Sequence, residues 1–128
     1  GTNIEKRRTP NIFRTTLATA SGDTALWTPT SSKKFRLMRY QIQLTGDAAR
    51  AVGGMLEIVL RDSTTALAFS FSAYVPAVAV NTLGGVSTGW IDLGNGYLSS
   101  VANNVLNINL SAALTGGEVR VVSTGTEE

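Results

Sequence analysis

Apolar and polar residues alternate with period two along most of this chain, and turn residues interrupt the alternation about every eight to twelve positions. That pattern is incompatible with helices and specifies short β-strands with one buried face. Met55–Asp62 shows it plainly: Leu56, Ile58 and Leu60 point one way, Glu57 and Arg61 the other. Val105–Leu110 repeats it, with Leu106, Ile108 and Leu110 set against Asn107 and Asn109. Ala66–Val75 places Leu67, Phe69, Phe71, Ala73 and Val75 on one face, and Pro76 stops it. Lys34–Thr45 is the longest run, but its register flips between Leu37 and Met38, which predicts a β-bulge or a strand that bends between sheets. Asn11–Leu17, Thr24–Thr28, a strand over Val86–Leu93 around Trp90, and Glu118–Ser123 complete the set, with Asn95-Gly96 as a tight-turn signal.

Eight short strands in 128 residues, without a helical stretch long enough to stand alone, predict an all-β fold. The nearest helical candidates are Ala48–Val52 and Ala77–Val80. A two-sheet antiparallel sandwich of jelly-roll type fits best, over residues 11–128, preceded by an extended basic arm over residues 1–10.

The side-chain inventory excludes much chemistry. With 0 cysteines and 0 histidines the chain has no thiolate or imidazole ligand, no cysteine nucleophile and no histidine base, so no cofactor and no metal are expected. Acid–base work would fall to carboxylates, and Asp47, Glu57, Asp62 and Asp92 are the internal ones. Their spacing places no two across a cleft, and Asp47 and Asp62 read as turn residues, so an enzyme is not expected.

Trp27 and Trp90, together with Tyr40, Tyr74 and Tyr97, are candidates for a stacking platform of the kind that holds sugar rings, but with so few aromatics spread over five strands core packing or interface anchoring is the preferred reading. Lys6, Arg7 and Arg8 make a cationic arm, and Arg14 on the first strand joins them as candidate partner-binding residues. A net charge of +2 does not sustain specific nucleic-acid binding, and no apolar run approaches the roughly 18–20 residues of a membrane span. A second cluster, Lys33-Lys34 with Arg36 and Arg39, reads as a strand edge guarded by charge. Outward positions are mostly Thr, Ser, Asn, Gln and Ala, with Met55, Val59 and Val122 apolar among them, a surface suited to lasting contact with other protein.

Leu26-Trp27-Thr28-Pro29 with Lys33-Lys34-Phe35-Arg36-Leu37, then Gly89 to Leu98 and Asn103 to Ser111, resemble segments of small all-β virion proteins of tailed bacteriophages. The resemblance spans roughly Asn11 to Gly125 and is one of pattern, without a diagnostic motif. It implies a jelly-roll-like sandwich in homotrimers, acting as a capsid decoration (cement) protein that contacts the major capsid protein on the outer surface of the head. It carries no catalytic residues. A tail or fibre component and a carbohydrate-binding receptor module are the alternatives.

Overall fold

A computed structural model of the chain describes residues 11–46, 54–75, 77 and 84–128. The arm over residues 1–10, with Lys6, Arg7 and Arg8, lies outside them, as do Asp47 and nearly all of both short helical candidates.

The described residues form nine strands: β1 (Ile12–Ala18), β2 (Gly22–Trp27), β3 (Phe35–Gly46), β4 (Gly54–Asp62), β5 (Thr65–Val75), β6 (Gly84–Ser87), β7 (Ile91–Leu98), β8 (Leu106–Leu110) and β9 (Gly117–Glu127). One sheet runs β1-β9-β3-β6, with β7 also pairing β3, and the other runs β2-β8-β4-β5. Every pairing is antiparallel. Because β6 and β7 lie end to end against β3, at Gln43–Gly46 and Arg36–Tyr40 respectively, they fill one strand position between them. The order is then that of an eight-position jelly roll. The strand predicted over Val86–Leu93 is therefore two strands. Trp90 sits in the break between them, and Asn95-Gly96 lies within β7 instead of ending a strand.

The spine is β3 against β9, paired from Phe35↔Glu127 to Gly46↔Gly117. The register slips between Leu37 and Arg39 against both β7 and β9, so Met38 is the extra residue of a bulge. This explains the parity flip seen in the sequence: Phe35 and Leu37 before the bulge, and Tyr40 and Ile42 after it, all point inward. Lys34–Thr45 does not change sheets. Nor is it an edge, because β3 has neighbours on both sides, and the charge-guarded edge expected from Lys33, Lys34, Arg36 and Arg39 is not what the fold makes of them.

The core is what the alternation specified. Leu56, Ile58 and Leu60 from β4 and Leu106, Ile108 and Leu110 from β8 face Ile42, Val119 and Val121 from the opposite sheet. Each large aliphatic chain so buried stabilises the fold by about 1.5–3 kcal/mol before entropy is counted. At the β5 end of the sandwich Leu67, Phe69 and Phe71 are half-buried against this core.

Candidate functional site

The carboxylates come first, since they were the acid–base candidates. Asp62 closes β4 and is 1% exposed. It was expected to cap its own turn, but its partners lie 35 to 42 residues away. Tyr97 Oη donates to it at 2.7 Å, the Ser100 amide at 2.8 Å and Asn104 Nδ2 at 2.9 Å. Burial acts to raise its pKa, but these hydrogen bonds together outweigh burial and hold it below the ordinary value. Tyr97 is pushed up to about 12, by burial first and then by the bond to Asp62 and its charge. Tyr97 belongs to one sheet and Asp62 to the other, so the pair ties the two layers together.

Glu57 points outward from β4 and is exposed, and Asp92 accepts from the Gly94 amide at 2.8 Å, as a turn aspartate does. Five positions separate Glu57 from Asp62 on one strand, which sends them to opposite faces. Asp62 is thus buried between the sheets, while Glu57 and Asp92 are exposed on different sheets.

The aromatic residues are equally scattered. Trp27, expected as a stacking ring, is 0% exposed and packs on Phe35 at 5.7 Å between centroids. Its indole N–H donates to Glu127 at 2.9 Å. No ligand reaches that ring. Leu26 and Trp27 are both buried because β2 slips register between Ala25 and Trp27, a bulge that alternation alone does not reveal. Tyr40 is buried against Phe69. Trp90 is 46% exposed on the other side of the sheet, with the Arg39 guanidinium 5.2 Å from its ring centre. Tyr74 is exposed beside Met55, its cross-strand partner, on the outer face of the second sheet.

The cationic residues separate too. Arg36 pairs with Glu128 at 2.8 Å and donates to the Asn95 carbonyl at 2.9 Å. Arg14 is exposed on β1 and donates to the Phe13 carbonyl at 2.9 Å. The acidic C-terminal pair is engaged: besides the Trp27 bond, Glu127 accepts from the Thr30 amide at 3.2 Å. Burial acts to raise the Glu127 pKa, but the bonds from Trp27 and Thr30 and the charge of Arg14 leave it lowered.

What remains is a surface. On the outer face of the first sheet, rows of cross-strand neighbours run Leu17–Arg120–Gln43–Ser87, Thr15–Val122–Gln41 and Phe13–Thr124–Arg39–Asp92. Phe13 is 62% and Leu17 41% exposed, both on β1. The middle sets Gln41, Gln43 and Thr15 beside apolar Val122 and cationic Arg120, with Ser87 donating to Gln41, and Arg120 donating to Thr15. These three rows contain no lysine or glutamate, and they carry the aromatic, arginine and glutamine content of a contact face. The sequence had pointed to Val122 there but not to Phe13 or Leu17.

No family model matches the chain, and no curated protein matches it. Among solved structures it is similar to the cryo-EM structure of the extra small virus virus-like particle of the giant freshwater prawn Macrobrachium rosenbergii. The identity is 17%, the match covers 92% of this chain and 80% of that one, and the TM-score is 0.26. The jelly-roll assignment rests on the strand pairing described above.

Proposed function

We propose that this protein is a structural virion protein that binds an assembled capsid as a decoration subunit and associates with its own copies. The observation that carries the reading is the outer face of β1-β9-β3, where Phe13 and Leu17 stand exposed beside a lysine-free centre of Gln41, Gln43, Arg120 and Val122. The tailed-phage resemblance supports it. So does the use of Asp62 and Glu127 as internal ties rather than as reactive groups.

In this reading the cationic residues of the first ten positions, Lys6, Arg7 and Arg8, pair with acidic groups on neighbouring shell subunits, with Arg14 beside them. A subunit that binds only the assembled lattice stabilises it by mass action, and many symmetric copies turn a modest contact into a tight one. Removing residues 1–10 is expected to abolish co-sedimentation with purified phage heads while the sandwich keeps its strand spectrum. Full occupancy by the truncated chain would refute the arm's role. The trimer that the resemblance implies is read from the solution mass.

A second reading, a carbohydrate-binding receptor module, is favoured by one observation, the exposed ring of Trp90. It requires Trp90→Ala to abolish a glycan-induced change in tryptophan fluorescence, since Trp27 is sealed in the core.

A further inference from the structure

The four flanks of the sandwich differ in one respect. Pairing of β2, of β5 and of β7 with their neighbours is broken in each case by a register shift. The β1 flank is straight along its whole length: Ile12 to Ala18 pair with Gly125 to Val119 through seven successive positions without a slip, whereas β6 pairs unslipped through four only and shares its flank with the broken β7. Among the described residues β1 pairs only with β9, so alternate backbone N–H and C=O groups along it point away from the sheet. Natural edge strands are usually blunted by bulges, prolines or charges, because free backbone groups recruit another strand. The sequence here is Ile-Phe-Arg-Thr-Thr-Leu-Ala, with Arg14 as its single charge.

We infer that β1 is a self-pairing edge: two copies of this chain join β1 to β1 in antiparallel register centred on Thr15, fusing their sheets across a twofold axis. The register is self-complementary. With Thr15 opposite itself, Phe13 faces Leu17 of the second copy and Leu17 faces its Phe13. The exposed aromatic and aliphatic side chains thus cover each other, flanking a Thr–Thr pair, and both contacts are favourable across antiparallel strands. Val122 adjoins Thr15 on the same face and extends the covered patch. Arg14 falls opposite Thr16, so the only charge on the strand does not meet itself. A slip of one residue would turn Phe13 and Leu17 to the wrong face. A slip of two would separate them from each other. A contact of this kind is isologous and closes at two copies. Seven residues of pairing bury less than the roughly 800 Å² per partner of a standard interface, so the dimer is expected to dissociate on dilution.

This deepens the self-association part of the proposed function but does not depend on a virion, and its test needs none. The chain has 0 cysteines, so Thr15→Cys introduces a unique thiol at an exposed position. Directly opposed residues in an antiparallel pair have Cα atoms about 4.5–5.5 Å apart, within disulfide reach, whereas Phe13 lies roughly 13 Å from Phe13 of the second copy. Mild oxidation of the Thr15→Cys protein should give a disulfide-linked dimer at least ten times faster than the Phe13→Cys protein. A mixture of Phe13→Cys and Leu17→Cys proteins should cross-link to each other. In light scattering behind size exclusion, the unmodified chain should approach twice 13.5 kDa at high concentration. Thr15→Lys, which sets like charges face to face, should return it to 13.5 kDa with its strand spectrum unchanged. Equal cross-linking rates at positions 13 and 15, a monomer at every concentration, or a three-copy mass unmoved by Thr15→Lys would each overturn the proposal. Failure to bind phage heads would count against the virion reading alone.

Discussion

Two regions of this molecule use their side chains in opposite ways. At one end of the sandwich, where β2, β4, β7 and β9 finish, Trp27 bonds Glu127 and Tyr97 bonds Asp62, each pair reaching from one sheet to the other. Polar groups there are spent inside the protein, and the backbone approaches so closely that Gly125 lies against Arg36 and the Trp27 ring. Along β1 much of the apolar surface of Phe13 and Leu17 is left open, and among the described residues alternate backbone groups have no neighbouring strand. The first region is expected to set stability and the second association. Side chains that satisfy one another hold a fold together, whereas side chains left unsatisfied define where it meets something else.

The sharpest break in this contrast would come at Gly125. A Cβ there would lie 2.9 Å from the Arg36 carbonyl carbon and 2.9 Å from Trp27 Cη2. Neither neighbour can yield, one being central backbone and the other a sealed ring, so Gly125→Ala is expected to cost about 3 kcal/mol or more in urea unfolding. Asp62→Asn comes next. It sets an amide among the Ser100 and Asn104 donors that the carboxylate satisfied, and a loss of about 2 kcal/mol is expected in the same measurement.

The two tied carboxylates also predict a pH dependence with a definite sign. Both folded pKa values lie below the ordinary values of 3.8 for Asp62 and 4.5 for Glu127, so the unfolded chain takes up protons first as the pH falls. The stability they contribute is fully present near neutrality and is lost as the pH drops from about 5 through the folded values. Denaturant midpoints should fall over that range, and less steeply in Asp62→Asn. Tyr97 acts at the other limit. With its folded pKa at about 12 and its ordinary value at 10.0, its contribution is complete below pH 10 and lost as the pH rises toward 12. Tyr97→Phe should remove that alkaline loss.

The smallest effect on stability is expected on the flank. Phe13→Ser should shift unfolding by no more than about 0.5 kcal/mol, because the ring is mostly in water already. The same change should lower the concentration-dependent mass in solution. A large loss of stability with unchanged mass would erase the distinction between the two regions.

The fold class was legible because strand alternation is local. Leu56, Ile58 and Leu60 turn inward whatever they pack against, and a parity flip at Leu37–Met38 marks an irregularity that the pairing with β7 and β9 resolves as a bulge. Other residues gave no such signal. Trp27 looked available for stacking until the bulge in β2 turned both it and Leu26 inward. Asp62 looked like a turn residue, because its partners Tyr97, Ser100 and Asn104 are distant in sequence. Phe13 and Leu17 follow the same alternation as any core strand. Only the order β1-β9-β3 shows that their face is the outer one and that β1 has a single neighbour.

The sequence by itself determined the all-β class, the inward faces of β4, β5 and β8, an irregularity at Leu37–Met38 and the absence of thiol and imidazole chemistry, since each follows from the residue and its immediate neighbours. The tertiary structure alone decided which strands became edges, which aromatic rings were sealed and which carboxylate became a tie. Those depend on contacts between residues distant in the chain, and such contacts leave no periodicity in the sequence to be read.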